Sequence, residues 1–412
     1  MRILVVSERY RPEITPASFR IAEHAARWLE RGHEVTVLTS VPNHPRGEVF
    51  PGYRNLPYQV EDLDGVRVVR VWSYLAPATG TVRRSLDYMS FTASAVAATP
   101  LLPPFDVALG TSPTLAAAAA ARVIARIRRR PWVFEVRDPW PAAIRSLGAM
   151  RSAALLRALE RLELALYASA ARVVCAFPAI QEDIVRRGVA RAKTAVVTNG
   201  ADLRRFDPER VQPADLSAEL GVPPDAFVVG YAGTIGLAQD LEVLARAAAL
   251  LRDDPRVWFV VLGEGARRAA LEAEAARLRL ERFIVRDFVP FQRIAAFLAA
   301  FHVSVVHQTL LPVFRGMLPS KLFELLAMGV PVLIGVEGHA ADLVEGAGCG
   351  VSVAQGDERA LARAIAALVD DPERRRAMSE AGRRLGREFD RTHLADRLLS
   401  LLEEVAGGVP VA

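Results

Sequence analysis

Residues 2–40, RILVVSERYRPEITPASFRIAEHAARWLERGHEVTVLTS, decide the fold. RILVV (2–6) is an apolar β run, and Ser18 to Arg31 sets Ile21, Ala22, Ala25, Ala26 and Leu29 along one side of a helix. Gly32 stops that helix, and EVTVLTS (34–40) is again a strand. Strand, helix and strand in this order make a βαβ unit. Further β runs follow at 66–72 (VRVVRVW), 106–112 (DVALGTS), 131–138 (PWVFEVRD), 171–177 (ARVVCAF) and 193–200 (KTAVVTNG), with helical segments between most of them. Strands that are apolar on both faces and separated by helices require a parallel sheet covered on both sides.

The pattern restarts after a looser, proline-bearing segment from 201 to 224. DAFVVGYAG (225–233), RVWFVVLGEG (256–265), RFIVRDFV (282–289), VSVVHQT (303–309), PVLIG (331–335) and GVSV (350–353) read as strands of a second doubly wound domain. Two helical stretches, 371–387 and 393–405, finish the chain. The expected organisation is an N-terminal domain at 1–202, a C-terminal domain at 203–385 and a closing helical segment at 386–412. Two domains of similar size usually take their ligand at the carboxyl ends of the strands, between them.

The 412 residues suffice for two such cores, and 51% hydrophobic with 24% charged residues excludes a disordered chain. Cys175 and Cys349 lie far apart without His or Cys companions, so neither a disulfide framework nor a metal site is expected, and a reducing cytoplasm fits. The opening MRILVVSERY enters a strand directly, without the apolar core of a signal peptide. Tyr88 to Phe105 is uncharged for eighteen residues, but its hydroxyls and Pro100, Pro103 and Pro104 favour a buried or interfacial helix over a membrane span.

The net charge is +5, and arginines gather at 122, 126, 128, 129, 130, 145, 151, 157 and 161. Few aromatics interleave them and no nucleic-acid motif is present, so nucleic acid is not an expected partner. Two readings stay open: contact with anionic lipid or a phosphorylated acceptor, and plain solvation of helices.

LPSKLFELLAMGVPVLIG (318–335) carries the chemistry. A helix entered through Pro319 and Ser320, stopped at Gly329 and followed by a strand presents Lys321 and Glu324 in its first turns. With Ser320 as N-cap, the amides behind it form a seat for phosphate, Lys321 adds a full charge, and Glu324 is placed to accept hydrogen bonds from a hydroxyl pair. That pairing suits a nucleotide sugar, against the alternative of a solvated i,i+3 ion pair. The first strand is followed by no glycine, so a dinucleotide fingerprint fails there. LGEGARRAAL (262–271) has two of three glycines, Gly263 and Gly265, read either as backbone approaching a nucleotide or as a strand-to-helix turn. No P-loop, G-x-S-x-G, H-E-x-x-H or paired-Cys motif occurs.

Several landmarks in order resemble the retaining glycosyltransferases of family 4, over nearly the whole chain: RILVVSERYRPE, ERGHEVTVLTSVPNHPRGEVFPGY (30–53), VRDPWP (136–141), VTNGAD (197–202), GYAGTIGLAQDLE (230–242), VLGEG (261–265) and PSKLFELLAMGVPVL. The PNHPRGEVFPGY and SKLFE pieces are similar to the branch that builds bacterial O-antigen and capsule repeats, including N-acetylfucosamine transferases. The resemblance implies a GT-B fold, two Rossmann-like α/β domains facing across a cleft, with the closing helix packed on the N-terminal domain. It implies transfer from a nucleotide sugar, uridine at family level, to a glycan or polyprenyl-linked acceptor. It further implies an enzyme without cofactor or metal; the expected place is the cytoplasm, with peripheral contact at the inner face of the plasma membrane resting on the 88–105 segment and the arginine cluster.

Carried over by residue, Glu324 corresponds to the second glutamate of the family's E-x(7)-E motif, which binds ribose hydroxyls; the first falls on Gly316. The Arg and Lys that neutralise the diphosphate fall on Thr234 and Gln239. Lys321 and its helix end are the first candidates to meet that charge, Arg315 the second, and Arg20 or Arg137 the third. The donor-binding set is Gly233, Thr234, Gly263, Gly265, Gly316, Leu318, Ser320, Lys321 and Glu324, with Glu324, Lys321 and Asp138 nearest the reaction. Glu13, Arg20, His44 and Arg137 stand on the acceptor side. Asp138 presents to the sugar or caps a helix, His44 reaches the acceptor or is solvated, and His307 touches donor or merely packs. The scheme has no protein nucleophile: the leaving phosphate oxygen accepts the acceptor's proton on the same face, and the protein positions and stabilises charge, with domain closure across 201–224 excluding water. The competing readings are a binding protein that keeps the nucleotide site without transfer, and a sugar-nucleotide epimerase, which requires more acid/base residues than the sequence offers.

Overall fold

β1 (Arg2–Val6) is buried along its length because it has parallel neighbours on both edges, β2 (Glu34–Ser40) and β5 (Val107–Thr111). The computed structural model describes residues 1–13, 15–44, 46–76, 81–112, 114–138, 152–309 and 316–408. Between β1 and β2 runs α1 (Pro16–Glu30), which starts two residues earlier than the periodicity suggested. Thr15 caps it through Oγ1, accepting from the Ser18 amide at 3.2 Å, and Pro16 occupies the first position, where its missing N–H costs nothing.

Four more strands, β4 (Val66–Val71), β6 (Trp132–Val136), β7 (Arg172–Cys175) and β8 (Thr194–Val196), extend this parallel sheet. The sequence reading lacked β3 (Tyr58–Leu63), an antiparallel edge strand that closes the order β3-β4-β2-β1-β5-β6-β7-β8. Its hairpin turns on Asp64 (φ 56°) and Gly65 (φ 83°), the paired positive φ that an Asp-Gly turn supplies. Helices α2 (Thr81–Ala97), α3 (Leu115–Ile127), α4 (Ala153–Ser169) and α5 (Pro178–Arg186) complete the crossovers that are described. The uncharged 88–105 run divides between α2 and a 3₁₀ turn at Thr99–Leu101, and no described helix is long and apolar enough to cross a membrane.

The second unit, Asn199–Asp390, holds β9 (Phe227–Ala232), β10 (Val257–Leu262), β11 (Phe283–Arg286), β12 (Val303–His307), β13 (Val332–Gly335) and β14 (Gly350–Ser352). All are parallel in the order β11-β10-β9-β12-β13-β14, with the switch of direction between β9 and β12. Around it lie α6 (Leu216–Leu220), α7 (Glu242–Leu250), α8 (Arg268–Arg277), α9 (Ile294–Ala299), α10 (Ser320–Met328), α11 (His339–Gly346), α12 (Glu358–Val369) and α13 (Pro372–Glu388). One core of this unit joins Val229, Tyr231, Phe259, Leu333 and Ile365.

The closing helix α14 (Arg391–Ala406) belongs to the first unit, Met1–Thr198 with Arg391–Ala412. Leu394, Leu398 and Leu402 pack with Ile21, Ala25 and Trp28 of α1 over β1. Trp28 Nε1 donates to the Ala395 carbonyl at 3.0 Å, and Arg27 and Arg31 both pair with Asp396, at 2.8 and 2.7 Å.

Candidate functional site

In the second unit the carboxyl ends of β9 and β12 flank the switch point, where open parallel sheets take their ligands. β9 runs into Gly233-Thr234-Ile235-Gly236, and this loop lies on the loop that follows β10. The Gly233 amide donates to Leu262 O at 2.9 Å and the Ile235 amide to Glu264 O at 2.8 Å, while Ile235 O accepts from the Arg267 amide at 3.0 Å. A Cβ at Gly263 would sit 1.8 Å from Gly233 O, and one at Gly265 (φ +152°) 2.3 Å from Ile235 O. These two glycines are therefore required for loop-on-loop packing, a reason beyond both sequence readings. Arg267 and Arg268, which follow them, are paired with Glu242 and with Glu264 and Glu272.

Beneath the loop, the Tyr231 hydroxyl donates to Thr234 O at 2.6 Å, while the Thr234 side of the loop is exposed. Lys321 reaches across from α10 and places Nζ 3.6 Å from the centre of the Tyr231 ring, a cation–π contact. A side chain at Gly233 would collide with that Nζ at 2.7 Å, so the glycine keeps the space open. Nζ is buried and has no hydrogen-bond acceptor among the described residues. Burial pushes the ammonium down to about 7, with Glu324 opposing. The sequence suggested a charged group at an open helix end; the structure buries the Lys321 amine behind the Gly233 loop, and that burial disfavours its charged form. Glu324, one turn on, is half-buried.

The helix end also differs from expectation. Pro319 holds the cap position, no side chain caps α10, and Ser320 instead accepts at Oγ from Asn199 Nδ2 at 3.2 Å. With no side chain spent on them, amides of the first turn stay available to an anion. Leu318 is buried and offers a ligand only its backbone; Gly316 is half-buried. Arg315 lies outside the described residues, as do Arg145 and Arg151.

His307 packs. Its Nδ1 lies 2.8 Å from Gln239 O and its Nε2 3.1 Å from the Gly356 amide, so Nδ1 carries the hydrogen and Nε2 accepts. Burial lowers its pKa, opposed by the Gln239 bond, and both ring nitrogens are engaged. Gln239, at a position where the family has a cation, uses Oε1 to accept from the Gly236 amide at 3.1 Å.

In the first unit the acceptor-side residues are largely sequestered. Glu13 is 2% exposed and its Oε1 accepts from the amides of Asn43 (2.9 Å) and His44 (2.8 Å), so it clamps the loop after β2. Arg20 donates to Glu135 at 2.9 Å, Thr198 O at 2.7 Å and Val197 O at 3.0 Å, which removes it from the candidates for phosphate. Burial opposes the charge on Glu135, yet Arg20 and Arg137 hold its carboxyl down at about 2. Arg137 is buried, its amide donates to Ser112 Oγ at 2.7 Å, and its Nε has no acceptor among the described residues. Burial lowers Arg137 and raises the neighbouring Asp138; the segment that Asp138 would cap lies outside the described residues. His44 is half-buried, its pKa lowered by burial and by Arg9.

Sequence reasoning missed Glu8, Arg9 and Asp87. The Arg9 guanidinium lies 3.0 Å from Glu8, 3.3 Å from Glu13 and 3.7 Å from Asp87. Burial pushes Glu8 up to about 7 and Asp87 to about 6, against Arg9. The available signal was position: Glu8 and Arg9 directly follow the carboxyl end of β1, beside the switch point of this sheet.

Comparison with known proteins agrees with this geometry. Residues 214–385 match the family described as Glycosyl transferases group 1, and residues 17–200 match the Glycosyl transferase 4-like domain. A putative colanic acid biosynthesis glycosyl transferase, WcaI of Escherichia coli, is 29% identical over 82% of this chain and 84% of its own length. Against the 2-deoxystreptamine glucosyltransferase of Streptomyces kanamyceticus the match is 30% over 53% of the chain and 57% of the relative, so the chain spans little more than half of that protein. Among solved structures, sucrose-phosphate synthase from Thermosynechococcus elongatus superposes with a TM-score of 0.75 at 19% identity, covering 99% of each chain. Anabaena HepE, solved in complex with UDP and glucose, gives 0.72 at 19% identity, over 98% of this chain and 100% of that one. Both units of the chain thus match glycosyltransferase domains, one by residues 17–200 and the other by residues 214–385, and the chain has the GT-B fold.

Proposed function

We propose that this glycosyltransferase moves a sugar, with retention of configuration, from a UDP-sugar to a glycan or polyprenyl-linked acceptor in cell-surface polysaccharide synthesis. The second unit holds the donor at the carboxyl ends of β9 and β12. The observation that carries this reading is Lys321: a buried amine without a hydrogen-bond acceptor among the described residues, lodged behind a glycine loop and beside a helix end whose cap position is Pro319. A diphosphate supplies a hydrogen-bonding anion for this amine, and Glu324 is placed to accept from the ribose hydroxyls. The HepE complex supports uridine as the base, and the colanic acid relative supports a polysaccharide product; transfer of a hexosyl or N-acetylaminosugar unit belongs to the same proposal. Arg137 and Asp138 stand for the sugar and acceptor side. The chain acts in the cytoplasm at the inner face of the plasma membrane, where such acceptors are anchored.

Leaving-group phosphate takes the acceptor proton on the face it departs from, so the work of the site is placement and charge stabilisation. Thermal shift and calorimetry with UDP, GDP, ADP and dTDP test the donor site. Stabilisation by UDP alone, lost in Glu324→Ala, is the expected result. Stabilisation by another nucleotide would replace uridine, and none with any would remove the donor reading. The anomeric configuration of the product, read by NMR, tests retention. Gly316, Thr234 and Gln239 favour one second reading, a nucleotide-sugar-binding protein without transfer, which binding without turnover would establish.

A further inference from the structure

A helix on the surface of a soluble unit normally turns its polar side outward. α2 buries Phe91 and Ala95 and yet is apolar on its outer side too: Leu86 is 48% exposed and Met89 68%, Ala93 and Ala97 continue the same outward line, and its carboxylate, Asp87, points inward to Arg9. The adjoining α3, packed against α2, exposes Val123 and Ile127, and Leu101 projects from the turn after α2. Beside α2, Pro57, Tyr58, Trp72, Ser94 and Leu101 line an apolar groove of about 500 Å³. Trp72 is 42% exposed and Tyr74 40%, aromatic residues of the kind that settle at a membrane interface.

The charge on this face has one sign. Arg83 lies one turn before Leu86, and Arg126 and Arg129 sit at the carboxyl end of α3; all three are exposed and none has an ion-pair partner among the described residues. α3 carries no carboxylate at all.

We propose that the outward face of α2 and α3 docks on an anionic lipid bilayer, with Leu86, Met89 and Ile127 entering the interface and Arg83, Arg126 and Arg129 held at the headgroups. The proposal rests on the reading of the chain as acting on membrane-anchored acceptors, and it names the surface that brings it there. Apolar insertion and arginine attraction act together on such a face, as they do for amphipathic helices that lie in the plane of a membrane.

Sedimentation of the full chain with vesicles of phosphatidylcholine, alone or mixed with phosphatidylglycerol, tests it. Binding to the mixed vesicles, weakened by salt and at least about tenfold stronger than to the neutral ones, is expected. Arg83→Gln with Arg126→Gln and Arg129→Gln should lose that preference, by about fivefold for each arginine. Leu86→Ser with Met89→Ser should lose binding to both vesicles while keeping a melting temperature close to that of the wild type, since Met89 is mostly and Leu86 about half exposed. No binding by the wild type, or both variants binding as the wild type does, overturns the proposal. So does a dimer in sedimentation velocity that Leu86→Ser with Met89→Ser splits, because the face would then belong to a second copy. Nucleotide thermal shifts on the same variants separate the two readings: a retained shift with lost vesicle binding leaves the donor site intact, and vesicle binding without any nucleotide shift sinks only the donor site.

Discussion

The two sheets share a topology and differ in what they place at the switch point. At the carboxyl end of β1 three buried carboxylates, Glu8, Glu13 and Asp87, surround one guanidinium. At the carboxyl end of β9 a single buried amine sits behind glycine-rich backbone with one half-buried carboxylate nearby. Among the described residues the first arrangement has carboxylates in excess of cations, and the second sets one amine beside the backbone of a glycine loop. A shared fold thus fixes where a ligand enters, and a handful of side chains fixes its charge.

Removing the cation of the first region should have the largest effect. Arg9→Met leaves its carboxylates together without a counter-charge, at a cost of about 3–5 kcal/mol to the first unit, read by denaturant melts. The loss should shrink as pH falls and the carboxyls take up protons; an equal loss at all pH values would mean that Arg9 acts by packing. In the second region, Gly263→Ala should cost about 1–3 kcal/mol or more, since the new Cβ falls on Gly233 O and the whole loop must shift.

Lys321→Met sharpens the contrast further. UDP binding should weaken by about tenfold to a hundredfold, the worth of a charge-assisted hydrogen bond. An amine whose folded value lies near 7, below its usual 10.5, destabilises the fold where it must be charged. The ligand-free variant should therefore melt higher than wild type below pH 7, with the gain vanishing toward pH 10. On the proposed contact between phosphate and Lys321 the pKa of the amine rises in the complex, so calorimetry in buffers of different ionisation enthalpy should record proton uptake on UDP binding, and wild-type affinity should fall as pH rises above about 7.

The smallest effect belongs to Glu8→Gln. A carboxyl raised from 4.5 to about 7 costs nothing below 4.5 and its full penalty above 7. The variant should match wild type at pH 4 and melt higher than wild type at pH 8. A difference that persists at pH 4 would show that hydrogen bonding, not charge, sets the effect.

Strands and helices were legible in the sequence because apolar periodicity is local: β1, α1 and β2 follow from residues 2–40 alone. β3 escaped because YQVEDL alternates only weakly, although the Asp-Gly pair behind it is a hairpin signal. Site residues were legible by position and far less by role. Arg20 looked free because Glu135, its partner, is 115 residues away. His307 stayed open between ligand and packing because nothing local shows that Gln239 and Gly356 occupy both ring nitrogens. Ser320 read as a cap because the Asn199 that takes its hydroxyl is equally remote in sequence.

The seam between α1 and α14 imposes an order on synthesis. A ribosome delivers β1, α1 and β2 at the start, yet the surface that Ile21, Ala25 and Trp28 present finds its cover only when residues 391–406 have been made. Until then the whole second unit has time to form, and the nascent first unit carries an apolar stripe that a chaperone or a neighbouring chain can occupy.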